Sequence, residues 1–291
     1  MKVVLTDVLL VALASVAAWW FSADEVRQAH PRLSALNYRG IRLPLILGPI
    51  VAVVALTVRF GGAVAAHGVA QAATWSIPAG AAVVFLAGLL DDLKGAGPRG
   101  ILAHLRALRT GMLTTGIVKL VAAVAGGGIV ATMSPRRGAL DSVLAVLVMA
   151  AAANLWNGLD VAPGRAGKAF LVAGVAMLAL FTAEAPVLLA AAVGATAGVL
   201  WYDLREVAML GDSGSNVLGF VAGAHFAAQV GTLGLVAGAA VLIGLNVLAE
   251  TITLSRLIEA TPPLKWADRL GRRRPVGGPA EKSPDLGFRR G

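Results

Sequence analysis

Cysteine is absent from this chain of 291 residues, which excludes disulfides, zinc–thiolate sites and thiol chemistry. Charge is scarce: 14% of the residues are Asp, Glu, Lys or Arg, against about 25% in an average soluble domain. What abounds is apolar, at 57% of the chain, with a mean hydropathy of +0.78. Such a composition excludes an ordinary water-soluble globule, and disorder too, because disordered chains are poor in apolar residues. The net charge of +9 could point to nucleic acid. In so apolar a chain it fits better the Lys and Arg surplus that polytopic membrane proteins carry in their cytoplasmic loops.

Apolar stretches of about 17–25 residues can cross a bilayer as helices. Nine are present, roughly 2–22, 43–60, 72–90, 112–133, 139–157, 166–183, 185–202, 214–230 and 232–258. The first is read as a retained span rather than a signal peptide, since Trp19, Trp20 and Phe21 lead directly into Asp24 and Glu25 without a small-residue cleavage site. Nineteen of the 25 basic residues fall in the connections after spans 1, 3, 5 and 7 and in the C-terminal stretch, while the opposite face holds Lys2, Arg59, Arg136 and Arg137. This bias predicts an all-α, polytopic bundle with the N-terminus outside and the C-terminus cytoplasmic. The expected organisation is a membrane domain over 1–260 and a basic, partly disordered cytoplasmic tail over 261–291, resting on anionic lipid. Small residues in the spans suit close helix packing and would permit a homodimer.

With only 16 acidic residues, their placement carries information. Asp91 and Asp92 end span 3, followed by Lys94; Asn154, Asn157 and Asp160 end span 5; Asp212, Ser213, Gly214 and Ser215 open span 8. Parity puts all three clusters at one membrane face, and the charge count makes that face cytoplasmic. Hard oxygen donors without His or Cys suit Mg²⁺ or Mn²⁺ shared with substrate phosphates. The glycines and hydroxyls around Asp212 suggest a tight turn into a helix N-terminus, which favours an anion. Asn154, Asn157 and Asp160 share a helical face and suit a sugar or base edge. Lys119 lies inside span 4, and an intramembrane cation is a functional candidate by default. Asn246 and Glu250 in span 9 read as interhelical glue, and His104 as part of a solvated or headgroup-facing loop. A transporter would place such ionisable groups at the membrane midplane; a non-catalytic scaffold is a further alternative.

At these residues the chain resembles the polyprenyl-phosphate N-acetylhexosamine-1-phosphate transferase family. Asp91-Asp92-Leu93-Lys94 is similar to its Asp-Asp-x-x-Lys motif, and Lys119 falls where a second lysine is expected. Asn154 to Asp160 is similar to Asn-x-x-Asn/Asp-x-x-Asp, Gly211 to Ser215 to Gly-Asp-x-Gly-Ser, and residues 40–48 to the start of the family's second span. The resemblance implies a multi-pass plasma-membrane enzyme that moves a sugar 1-phosphate from a UDP-sugar to polyprenyl (undecaprenyl) phosphate, releasing UMP. It further implies that Asp212, with Asp92, holds Mg²⁺ (or Mn²⁺), and that Asp91 or Asp92 orients or deprotonates the lipid phosphate. Lys94 and Lys119 would bind phosphates, and Asn154, Asn157 and Asp160 would meet the nucleotide sugar, with Ser213, Gly214 and Ser215 beside them. The family's histidine-rich loop has no counterpart after span 9, where Thr261 to Trp266 stand. That departure favours a simple HexNAc donor over a phospho-MurNAc-pentapeptide donor.

Overall fold

The computed structural model describes residues 2–28, 32–65, 72–94, 101–133, 138–181, 187–252 and 254–272. Among them nine helices are long: α1 (Lys2–Gln28), α2 (Leu47–Ala65), α3 (Ala72–Lys94), α5 (Thr115–Thr132), α6 (Ala139–Leu159), α7 (Arg165–Leu180), α8 (Val187–Leu204), α9 (Gly211–Gln229) and α10 (Thr232–Thr251). Each overlies one expected span. Three short helices complete the set: α4 (Ile101–Arg109), α11 (Leu254–Ala260) and α12 (Pro262–Arg269). Five helices, α3, α5, α6, α8 and α10, are long and apolar enough to cross a membrane. In α9 the run Asp212-Ser213-Gly214-Ser215-Asn216 occupies the first turns and lowers its hydropathy.

Three features depart from the sequence reading. A short antiparallel hairpin precedes α2, pairing β1 (Ser34–Leu36) with β2 (Arg42–Pro44) in the register Ser34 with Pro44 and Leu36 with Arg42. Its turn is set by Asn37, whose side-chain oxygen accepts the N–H groups of Arg39 and Ile41, both at 2.9 Å, and by Gly40 at φ +76°. Among the described residues the fold is therefore all-α except for this hairpin. Secondly, the expected ninth span is broken: α10 stops at Thr251, Ile252 is extended, and α11 and α12 follow. Thirdly, Thr261–Arg272 is not a loose extension, since Pro262 and Pro263 open α12. The tail from 273 onward and the pair Arg136–Arg137 lie outside the described residues.

Helix α9 is the centre of the bundle. Residues 213–225 are all buried, chiefly between α3 and α6. Lipid tails give no hydrophobic drive to bring helices together, so close packing of small side chains has to do it. A Cβ on Gly88 of α3 would stand 2.6 Å from the Asp212 carbonyl oxygen and 2.7 Å from the Ser213 Cα. A Cβ on Gly214 would meet the Gly48 Cα of α2 at 2.6 Å. Only glycine permits these crossings, and both lie beside Asp212.

Candidate active site

The C-terminal end of α3, the N-terminal end of α5, the C-terminal end of α6 and the N-terminal end of α9 meet at one end of the bundle. Asp91 and Asp92 arrive from α3, Lys119 from one turn inside α5, and Asp212 from the first turn of α9. The Lys119 ammonium donates to Asp212 Oδ2 at 2.7 Å and pairs with Asp91 Oδ2 at 2.5 Å. Its side chain is 14% exposed, so the charge is held inside the bundle rather than at its surface. Thr115, in the first turn of α5, lies close to Asp91, and the Asp91 and Asp212 carboxyl groups are near neighbours. One cation thus offsets the repulsion of two converging carboxylates.

Asp92 performs a different task. Its Oδ1 accepts the Asp212 N–H at 2.8 Å and its Oδ2 the Ser213 N–H at 2.9 Å. A carboxylate from α3 thereby caps α9, satisfying amides that have no intrahelical partner and facing the positive end of the helix dipole. The turn that presents these amides needs Gly211 at φ +73°, with the Asp92 carboxylate lying directly against it. Asp160 lies near the same turn, with its carboxyl close to the Gly211 amide. Burial, with Asp203, Asp212 and Asp92 nearby, raises the Asp160 carboxyl well above the usual carboxylate range. Ser215 Oγ donates to the Gly211 carbonyl at 2.9 Å and makes a longer contact of 3.3 Å with Asn157 Oδ1. Asn216 Nδ2 closes the turn on the Asp212 carbonyl at 2.6 Å.

Asp91, Asp92, Lys119, Asn157, Asp160, Asp212, Ser213, Gly214 and Ser215, all expected from the sequence, are therefore neighbours in space. Two others are not part of this knot. Lys94 is exposed at the last turn of α3. Asn154 turns away from it and donates to Asn246 Oδ1 of α10 at 2.5 Å, while Asn246 Nδ2 donates to the Ala151 carbonyl at 3.0 Å. The glue reading of Asn246 thus extends to Asn154.

Sequence reasoning missed three contributors. His104 is half-buried rather than loop-exposed: its Nδ1 lies 2.8 Å from Thr114 Oγ1, and its ring fills the space over Gly116 at the start of α5. Burial, and Lys119 nearby, hold its pKa below the ordinary histidine value. The hairpin braces the approach to Asp212 from behind. Met209 N–H donates to the Pro44 carbonyl at 2.8 Å, and Gly48 N–H to the Leu210 carbonyl at 3.1 Å. Glu206, the one non-glycine residue at positive φ (+55°) among the described residues, pairs with Arg39 at 3.3 Å and accepts from Asn37 Nδ2 at 3.0 Å.

Among the described residues no three His, Asp or Glu side chains are grouped so as to hold a metal by themselves. The donors present are hard carboxylate oxygens, with Asp91 Oδ2 and Asp212 Oδ2 both at the Lys119 ammonium. That pattern fits a Mg²⁺-type ion completed by substrate phosphates better than a resident metal cage.

Apolar helices of membrane-spanning length around a terminal knot of carboxylates and lysine mark a multi-pass membrane protein. The family comparison agrees: the model of glycosyl transferase family 4 matches residues 74–229, from the first turn of α3 to the end of α9. The match covers more than half of the chain, and the chain belongs to this family. No curated protein matches it. Membership makes it a transferase of the polyprenyl-phosphate sugar-1-phosphate type, in line with the resemblance read from the motifs.

Proposed function

We propose that the protein transfers a HexNAc 1-phosphate from a UDP-sugar to polyprenyl (undecaprenyl) phosphate, releasing UMP at the cytoplasmic membrane face, as the first membrane step of cell-wall or surface-glycan synthesis. The observation that carries this reading is the meeting of Asp91, Asp212 and the Lys119 ammonium at one end of the bundle. An oxygen of the lipid phosphate attacks the β-phosphorus of the donor, the bond between the two phosphates breaks, and UMP leaves with the electron pair. Asp91 lies where it can orient the incoming phosphate and accept any proton it carries. Lys119 supplies positive charge against the oxygens on which negative charge accumulates. Asp92, by accepting the Asp212 and Ser213 amides, fixes the turn that presents the Asp212 carboxylate.

A divalent cation, Mg²⁺ or Mn²⁺, would supply charge neutralisation of the donor diphosphate. Both Asp92 oxygens already accept amide hydrogens, so Asp212 and Asp91 are the better-placed ligands, and Asp92 supports them from the second layer. Asn157 and Asp160, at the rim formed by the end of α6, would contact the nucleotide sugar. The absence of histidine after α10 favours a donor without a peptide.

The test uses purified protein in detergent with undecaprenyl phosphate, Mg²⁺ and a panel of UDP-sugars. UMP should appear with one donor and vanish with EDTA and in Asp212→Asn. Silence across the panel from folded protein would overturn the HexNAc-donor reading, and turnover of UDP-MurNAc-pentapeptide alone would replace it with the peptidoglycan one.

A further inference from the structure

The last described helix lies outside the family match and is bound to the loop that carries Asp160 by a buried charge cluster. Asp268 of α12 has a side chain 4% exposed. Arg165, at the start of α7, grips it with two nitrogens, Nε to Oδ1 at 2.8 Å and Nη2 to Oδ2 at 3.1 Å. The remaining Arg165 nitrogen, Nη1, donates to Ser255 Oγ of α11 at 2.8 Å. Arg272 adds a bond to Asp268 Oδ1 at 2.5 Å and another from its Nε to the Pro163 carbonyl at 3.0 Å. The Lys168 ammonium donates to the carbonyls of Ala267, Asp268 and Leu270 at 2.8, 2.5 and 3.2 Å, closing the negative end of α12.

Between this cluster and the site run only residues 160–164. Asp160 is fixed at one end as the C-cap of α6, its N–H donating to the Trp156 and Asn157 carbonyls, both at 3.2 Å. At the other, Gly164, at φ +69°, donates its N–H to the buried Asp203 Oδ2 at 3.0 Å. Clamped at both ends, the loop has one register. A buried ion pair is a poor source of stability, since apolar replacement often costs nothing. What apolar side chains cannot reproduce is the two-pronged geometry that fixes one backbone against another.

We propose that residues 254–272 form a strap that positions the Asp160 loop for the nucleotide-sugar substrate, with Asp268 as a positioning residue acting through Arg165. The proposal rests on the transferase reading above. The strap belongs to the enzyme and packs on the start of α7.

The chain has no cysteine, so a single Val161→Cys, at a residue 52% exposed, takes one spin label on the loop. Label mobility, kcat and both KM values are then measured on the full chain with Asp268→Asn, Asp268→Glu and the paired Arg165→Met/Asp268→Leu, which leaves no unpaired charge in the Arg165–Asp268 contact. Asp268→Asn and the paired variant should mobilise the label and raise the KM for the UDP-sugar about 10–100-fold. The KM for polyprenyl phosphate should hold, and Asp268→Glu should recover part of both effects. A folded paired variant with an immobile label, or a mobile label with unchanged UDP-sugar KM, overturns the proposal. If the labelled, otherwise unsubstituted protein neither binds a UDP-sugar by calorimetry nor releases UMP, the transferase reading itself falls, and the strap's role in donor binding with it.

Discussion

Lys119 stands between two carboxylates that would otherwise repel each other, and its removal separates the two demands placed on it. In Lys119→Met the carboxylates face each other without their cation, and UMP release should fall by about 10²–10³-fold, the range for a lost charge-stabilising donor. The same variant offers a readout free of turnover. If Asp91 and Asp212 hold a divalent cation, Mg²⁺ should raise the thermal midpoint of Lys119→Met more than that of the unsubstituted protein, because it replaces the missing positive charge. An equal response of both proteins would place the ion elsewhere. Asp160 gives a prediction in pH. Its carboxyl is raised by burial and by Asp203, Asp212 and Asp92, so the folded state binds its proton more tightly than the unfolded chain does. This contribution is therefore most favourable at acid pH and declines as pH climbs from the unfolded carboxylate value toward the raised folded one. Asp160→Asn, which keeps an oxygen for the Gly211 amide, should remove that decline. In metal-free buffer its thermal midpoint should exceed that of the parent by a margin that widens from pH 5 to pH 8, while donor turnover falls. A parallel pair of pH curves would exclude the raised carboxyl.

The α3–α9 crossing shows how a helix contact becomes a chemical tolerance. Asp91 and Asp92 ride on α3 and Asp212 on α9, and the two backbones meet where Gly88 lies against Asp212 and Ser213. Gly88→Ala inserts a methyl group into that contact. It should cost about 1–3 kcal/mol of stability and reduce turnover beyond what the remaining folded fraction explains, because the Asp92 cap on α9 must lengthen. Gly128→Ala in α5, where a Cβ meets nothing within 4 Å, should gain up to about 1 kcal/mol from helix propensity and leave turnover unchanged; thermal melts and UMP assays on both separate packing from chemistry. The long helices were legible in the sequence because a span advertises itself over about 20 apolar residues. So was Lys119, because a cation inside such a run has few reasons to be there. The hairpin was not legible: its strands are three residues each, without alternation, and its tip is fastened by Glu206, 169 positions on from Asn37. The Arg165–Asp268 pair, 103 positions apart, left no local pattern either. His104 was placed in a loop because α4 is too short and basic to resemble a span, although its ring packs on α5.

At the scale of the whole molecule, the order of helices and the location of the site constrain each other. The ends of α3 and α6 and the starts of α5 and α9 share one end of the bundle, so the connections after α3, α6 and α8 lie on the site's side, and Gly138 and Gly231, before α6 and α10, lie on the other. Described basic residues follow the same division, with Arg106, Arg109, Arg205, Lys265, Arg269 and Arg272 on the site side. Lysine and arginine bias holds short loops in the cytoplasm. The proposed use of a nucleotide sugar, a cytoplasmic metabolite, requires the orientation that this bias predicts. The missing cysteines make this checkable with single introduced thiols. Thr110→Cys lies on the site side, and Gly138→Cys and Gly231→Cys on the other; all three positions are exposed. A membrane-impermeant maleimide added to intact cells should label Gly138→Cys and Gly231→Cys at once, and Thr110→Cys only after the membrane is opened. The reverse pattern would turn the Asp91–Lys119–Asp212 knot outward, away from any UDP-sugar, and the transferase reading would then fail however well the site binds phosphate in detergent.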